Sequence, residues 1–111
     1  MREKETEEKF RRAVKQAGGK AYKFVSPGNG GVPDRLVVLP GGRIGFVELK
    51  APGRKPTPLQ QMRIRELKGL GCRVLVLDSP EGIPAAIAAI RGSGPDRRAA
   101  GKNTGGTEGG K

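Results

Sequence analysis

Along residues 3–17 the apolar side chains Phe10, Ala13, Val14 and Ala17 recur at the spacing of one helical face, and Gly18-Gly19 supplies a stop. This predicts a first helix. Glu3 and Glu7 fall seven and three residues before Phe10, beside the apolar stripe rather than opposite it. The period then shortens. "KAYKFVS" reads as a strand and "PGNGGVPD" as a turn-rich loop. Residues 35–39 and 43–49 read as two strands joined by the short connection Pro40-Gly41-Gly42.

"APGRKP" is a basic loop, after which Thr57-Pro58 opens a second helix, with Thr as N-cap and Pro in the first helical position. Leu59, Met62, Leu67 and Leu70 give this helix an apolar face, and Gly71 ends it. "CRVLVLD" is apolar on both faces, which predicts an interior strand covered on two sides. A third helix near 84–91 presents Ile83, Ile87 and Ile90 on one side. From Gly92 to Lys111 the chain turns to Gly, Ser, Thr and charge without periodicity, and a disordered basic tail is expected. The order α-β-β-β-α-β-α predicts one α/β domain over 1–91, a mixed central sheet flanked by helices on both faces, and a tail over 92–111.

Composition changes this picture in three ways. Lys and Arg number 22 against 11 Asp and Glu, a formal charge of +11, of which residues 1–91 keep +9. So large a surplus repels itself in the compact state and suits a polyanionic partner, most simply nucleic acid. There is one cysteine and no histidine, so an internal disulfide, the usual Cys/His zinc site and a histidine base are excluded. Acid–base or metal chemistry must fall to carboxylates, lysines or water. The start "MREKETEEKF" has no apolar run and no window approaches the roughly 20 apolar residues of a bilayer span, so a soluble, cytoplasmic protein without membrane contact is expected.

The hairpin carries the chemistry. Side chains alternate along a strand, so Glu48 and Lys50 share a face and Leu49 points away. If Pro40-Gly41-Gly42 is a three-residue loop, Leu39 pairs with Arg43 and Asp34 lies opposite Glu48. A two-residue Gly-Gly loop sets Arg35 opposite Glu48 instead. Both faces are apolar, so the hydrophobic pattern leaves both registers open. In the second register Glu48 pairs with Arg35, and the ions are structural. In the first, two carboxylates face each other and repel unless a cation sits between them. Mg²⁺ takes one or two carboxylates and keeps several waters; Lys50, next on that face, would stand beside such a water with a phosphodiester as substrate.

"PD", 13 residues and then "ELK" resemble the PD-(D/E)XK nuclease signature. The longer stretch "KFVSPGNGGVPDRLVVLPGGRIGFVELKAPGRKPTPLQ" resembles the VRR-NUC family in its small, stand-alone, phage-type form. The similarity runs from the first helix to about residue 90, and "GVPDR", "FVELKAPG" and "PLQ" together are far more specific than a bare PD…ExK match. The resemblance implies a restriction-endonuclease-like αβββαβ core. It implies Asp34 and Glu48 as metal-binding acids, the Leu49 carbonyl as a backbone ligand, Lys50 as the catalytic lysine, and Mg²⁺ or Mn²⁺ as the cofactor. Glu7 best matches the family's first-helix glutamate, with Glu3 as the rival. Gln60 matches the family glutamine, although Thr57-x-x-Gln60 is also a capping box.

Arg54 and Lys55, in the loop beyond the catalytic strand, and Lys20, Lys23 and Arg35 are candidates for phosphate contacts. The glycines of "SPGNGG" could also let main-chain N–H groups approach a phosphate. The function implied is a divalent-metal-dependent DNA endonuclease, a homodimer acting on branched or junction DNA in a bacterial or phage-infected cell. The alternative is a non-catalytic basic nucleic-acid-binding module with a degenerate site.

Overall fold

The structure is a computed structural model, and it describes residues 3–94. In chain order the elements are α1 (Glu3–Gln16), β1 (Lys20–Lys23), β2 (Arg35–Leu39), β3 (Arg43–Leu49), α2 (Pro58–Gly69), β4 (Val74–Leu77), a 3-10 turn (Pro80–Gly82) and α3 (Ile83–Arg91). The strands form one sheet in the order β1-β2-β3-β4. β1, β2 and β3 run antiparallel to their neighbours, and β4 joins β3 in parallel, which requires the crossover that α2 provides. The mixed sheet flanked by three helices is the expected architecture.

The period-2 pattern of the hairpin sorts its two faces. Val37, Leu39, Val47 and Leu49 turn to one side and are buried with Phe10 and Val14 of α1 and Ile83, Ile87 and Ile90 of α3. Each such side chain taken out of water stabilises the fold by about 1.5–3 kcal/mol. Ile64 of α2 and Val74 of β4 are also buried but stand apart from this cluster, and α2 packs against β4 on the other side.

Two expectations change here. β4 is not an interior strand: it is the edge of the sheet, and Val76 is 46% exposed. Its uniformly apolar sequence arises because Leu75 and Leu77 serve the α1/α3 core while Val74 lies towards α2. α2 also does not bury the face expected of it. Ile64 is its buried residue, whereas Leu59, Met62 and Leu70 are exposed. A short helix packed against an edge strand and the glycine loop before Asp34 has little surface to cover.

The hairpin register is the three-residue one. Leu39 pairs with Arg43 and Arg35 with Val47, and Gly41 and Gly42 take φ of 87° and 72°, a left-handed conformation that glycine adopts without steric cost. β1 ends at Lys23, three residues sooner than "KAYKFVS" suggests, although the Phe24 N–H still donates to the Asp34 carbonyl (2.8 Å). Of the stretch assigned to a tail, Gly92–Gly94 belong to the folded unit: Ser93 is buried, its Oγ accepts from the Ile44 N–H (3.1 Å), and its carbonyl accepts from Arg43 Nη1 (2.5 Å). The rest of that expectation, from residue 95 on, lies outside the described residues. No described helix is long and apolar enough to cross a membrane.

Candidate active site

With residue numbers across the hairpin fixed by Arg35↔Val47, Asp34 falls one step beyond the ladder, opposite Glu48. Two hydrogen bonds hold it there. Its carbonyl accepts from Phe24, and its Oδ2 accepts from the Leu49 N–H at 2.8 Å. The Lys50 N–H donates to the Leu77 carbonyl (2.9 Å), so β4 fixes the other end of the Glu48-Leu49-Lys50 tripeptide. Asp34, Glu48 and Lys50 are therefore brought together by backbone hydrogen bonding on both flanks of β3.

Glu48 is 1% exposed. Its Oε2 lies 3.3 Å from Lys50 Nζ, while its Oε1 is buried with no hydrogen-bond partner. Burial and then the Asp34 charge push its pKa up from 4.5 to about 7, against the hydrogen bond and charge of Lys50; the Glu3 charge adds to the rise. An acid arranged only for stability would not be left in this state. A buried carboxylate with an unpaired oxygen, facing a second carboxylate, is a cost to the fold that a bound cation would relieve.

The donor set fits a hard divalent ion. Among the described residues no group of three or more His, Cys, Asp or Glu side chains gathers for a metal, so Asp34 and Glu48 stand as a pair. Two carboxylates suit Mg²⁺ or Mn²⁺, which complete their coordination with other oxygens, water among them.

The remaining expected residues are placed less uniformly. Glu7 is held by Arg35, whose Nη2 and Nε lie 2.5 and 3.1 Å from Glu7 Oε2 and whose Nη1 reaches the Ala21 carbonyl at 3.2 Å. Arg35 is thereby committed to α1 and β1 instead of presenting a free guanidinium to a phosphate. The helix acid whose charge is felt at Glu48 is Glu3. Gln60 closes the capping box: its N–H donates to Thr57 Oγ1 (3.2 Å) and its Oε1 accepts from the Thr57 N–H (2.9 Å). Arg54 and Lys55 are exposed in the loop after β3, and Lys23 is exposed at the end of β1.

The loop before Asp34 has a packing role that the sequence does not announce. Gly31 has φ of 87°, and a Cβ there would lie 2.8 Å from Leu59 Cγ. Arg63 Nε of α2 donates to the Gly30 carbonyl (2.9 Å). The glycines therefore let the loop press onto α2. The Glu7–Arg35 pair was also missed, yet a signal existed: in the three-residue register Arg35 shares the face of Val37 and Leu39, directed towards α1, where Glu7 flanks the stripe.

No family model matches the chain. Over 81 residues it is 56% identical to "Putative nuclease p44" of Acyrthosiphon pisum secondary endosymbiont phage 1, an alignment covering 73% of this chain and 87% of that protein. Its fold superposes on a solved structure described as a VRR_NUC domain with a TM-score of 0.73 and 31% identity, covering 78% of this chain and 94% of the other. On these two likenesses the chain belongs to the VRR-NUC family of nucleases, in its small phage-type form.

Proposed function

We propose that the protein is a divalent-metal-dependent DNA endonuclease that hydrolyses phosphodiester bonds, acts on branched or junction DNA and works as a homodimer. The observation that carries the catalytic part is the buried, partnerless Oε1 of Glu48 beside Asp34 and Lys50. Nuclease activity is supported by the family; junction preference and dimerisation are what the sequence resemblance to the small stand-alone form implies. A two-fold dimer would present two equivalent sites to two strands.

Asp34, Glu48 and the Leu49 carbonyl would hold Mg²⁺ or Mn²⁺, which when bound supplies Lewis acidity and neutralises charge at the phosphate. The chain's own groups do the rest. The Leu49 N–H bond to Asp34 Oδ2 fixes the carboxylate relative to the Leu49 peptide. Lys50, anchored through its backbone to Leu77 and through Nζ to Glu48, offers an ammonium to orient the attacking water and to stabilise charge developing on the phosphoryl oxygens. The exposed Arg54, Lys55 and Lys23 would steer the DNA backbone by charge.

A non-catalytic binding module would keep Glu48 as a stabilising ion pair. The raised pKa of Glu48 speaks against that, since its ionised form destabilises the free protein. The deciding experiment is cleavage of fluorescent linear, flap and four-way-junction DNA with and without Mn²⁺. Cutting should require the metal and be lost in Asp34→Ala, Glu48→Ala and Lys50→Ala. Full activity in EDTA, or in all three variants, would remove the metal-site reading; salt-sensitive binding without cutting under any metal would favour the binding module.

A further inference from the structure

An open groove of about 580 Å³ lies between α1 and β1, away from Asp34 and Glu48, and it is lined by Glu8, Arg11, Arg12, Lys15, Lys20 and the backbone near Gly19. We propose that this groove is a second phosphate-contacting surface, which receives the duplex arm leaving the cleavage site. The assignment of DNA as its partner rests on the nuclease reading; the electrostatic site itself does not.

Four cations and one acid line the groove. Among the described residues, Arg11, Arg12 and Lys15 enter no ion pair: the pairs present are Arg35–Glu7, Lys50–Glu48 and Arg63–Glu66. Lys20 Nζ lies 4.9 Å from the centre of the Tyr22 ring, a contact that leaves its charge uncompensated. Helical spacing puts Arg11 and Lys15 one turn apart on the same side, where like charges repel. The helix dipole rewards cations only in the last turn, so it accounts for Lys15 and not for Arg11 or Arg12. Glu8, one turn before Arg11 and Arg12, offsets a single charge, and the free protein holds a surplus of cations here that a polyanion would neutralise.

The groove's chemistry separates a backbone from a nucleotide. Small-molecule sites are mostly apolar and enclosing. This one is open, its lining is charged, and no aromatic ring stands among its lining residues to stack on a base. A chain of phosphates fits it better than a single ligand.

Its position links it to the cleavage site. Lys23 pairs with Arg35, the neighbour of Asp34, and Lys20 pairs with Val38. Asp34 itself lies opposite Phe24, and from Phe24 to Lys20 is about 13 Å at the ~3.3 Å rise of a strand. With a DNA rise of ~3.4 Å per base pair, that separation corresponds to about four base pairs of duplex between the carboxylate site and the groove. α1 divides the same way: Glu3 and Glu7 lie towards the carboxylate site, and Arg11, Arg12 and Lys15 lie farther along.

The test is fluorescence anisotropy on duplex DNA in EDTA over about 50–200 mM salt. The proteins are wild type, the triple variant Arg11→Gln/Arg12→Gln/Lys15→Gln and the charge-keeping Arg11→Lys/Arg12→Lys, each shown by circular dichroism to be folded. Each lost phosphate contact lowers the log–log salt slope by ~0.9, so the triple variant should lose about two to three units of slope and the Lys variant almost none. Lengthening the duplex arm beyond about four base pairs should tighten binding by wild type and not by the triple variant. Equal slopes and equal arm-length dependence in wild type and the triple variant would overturn the groove, whatever the cleavage assay gives. A reduced slope in the triple variant, with no cutting by wild type under any metal, would support the groove and remove the nuclease reading instead.

Discussion

Replacing Glu48 by Gln keeps the shape of the side chain and removes the one ionisation that the fold resists. Burial and the Asp34 charge raise its pKa from 4.5 to about 7. An acid with a raised folded-state pKa contributes stability that is fully present below 4.5 and is lost as pH rises through about 7. At 1.36 kcal/mol per unit, ionising the buried Glu48 in the metal-free protein costs up to about 3 kcal/mol. Gln mimics the protonated carboxyl, so Glu48→Gln should be the more stable protein at pH 8 in EDTA and nearly equal to wild type at pH 4.5. Domains of this size shift by about 4–8 °C per kcal/mol, so a gain of about 10 °C or more in Tm is expected. The assay is a series of thermal and urea melts from pH 4.5 to 8.5 in EDTA, read as the difference between the two proteins. Saturating Mn²⁺ should then stabilise wild type at pH 8 and leave Glu48→Gln almost unmoved. Parallel pH profiles, or a variant less stable than wild type at pH 8, would refute the reasoning that Glu48 is a strained, waiting carboxylate.

Three further outcomes follow from particular contacts. Glu7→Gln should weaken the half-buried Arg35 pair and cost about 1 kcal/mol in urea melts, whereas Glu3→Gln should leave stability nearly unchanged and lower cleavage more than Glu7→Gln does. Thr57→Ala and Gln60→Ala should each lose about 1 kcal/mol through the capping box, with matching effects on cleavage; a far larger loss of cutting in Gln60→Ala would assign Gln60 to the reaction. Gly31→Ala forces a Cβ against Leu59 in a left-handed backbone conformation, and should destabilise the protein by about 1–3 kcal/mol by the same melts.

The sequence made the fold legible where one period governed a segment. Phe10 and Val14 marked the buried face of α1, and the Ile83–Ile87–Ile90 stripe marked that of α3. It was ambiguous where two faces were equally apolar. The hairpin register could not be chosen from hydrophobicity, and it was settled by the left-handed Gly41 and Gly42 closing a three-residue loop. The same double-faced apolarity made β4 resemble an interior strand, because strand order depends on what packs beside it and not on its own composition. Local rules also failed for α2: of its nominal face of Leu59, Met62, Leu67 and Leu70, three residues stay exposed, and Leu59 meets the loop glycines.

The candidate site was readable as far as the strand carries it. Asp34, Glu48 and Lys50 follow from alternation and register within 17 residues of chain. The partners contributed by α1 were not, since their positions depend on how a helix lies on the sheet. Arg35 captures Glu7 across 28 residues of sequence, while the charge of Glu3 contributes to the raised pKa of Glu48. Gln60 could be read either as a site residue or as a cap, and its Oε1 is spent on the Thr57 N–H.

The most direct measurement is anomalous diffraction from a crystal soaked in manganese near neutral pH. The account predicts a peak between the carboxylates of Asp34 and Glu48, in contact with the Oε1 that has no partner in the free protein, and its disappearance in Glu48→Gln. A soaked crystal with no peak at that position, or with manganese bound elsewhere while DNA is still cut, would contradict it.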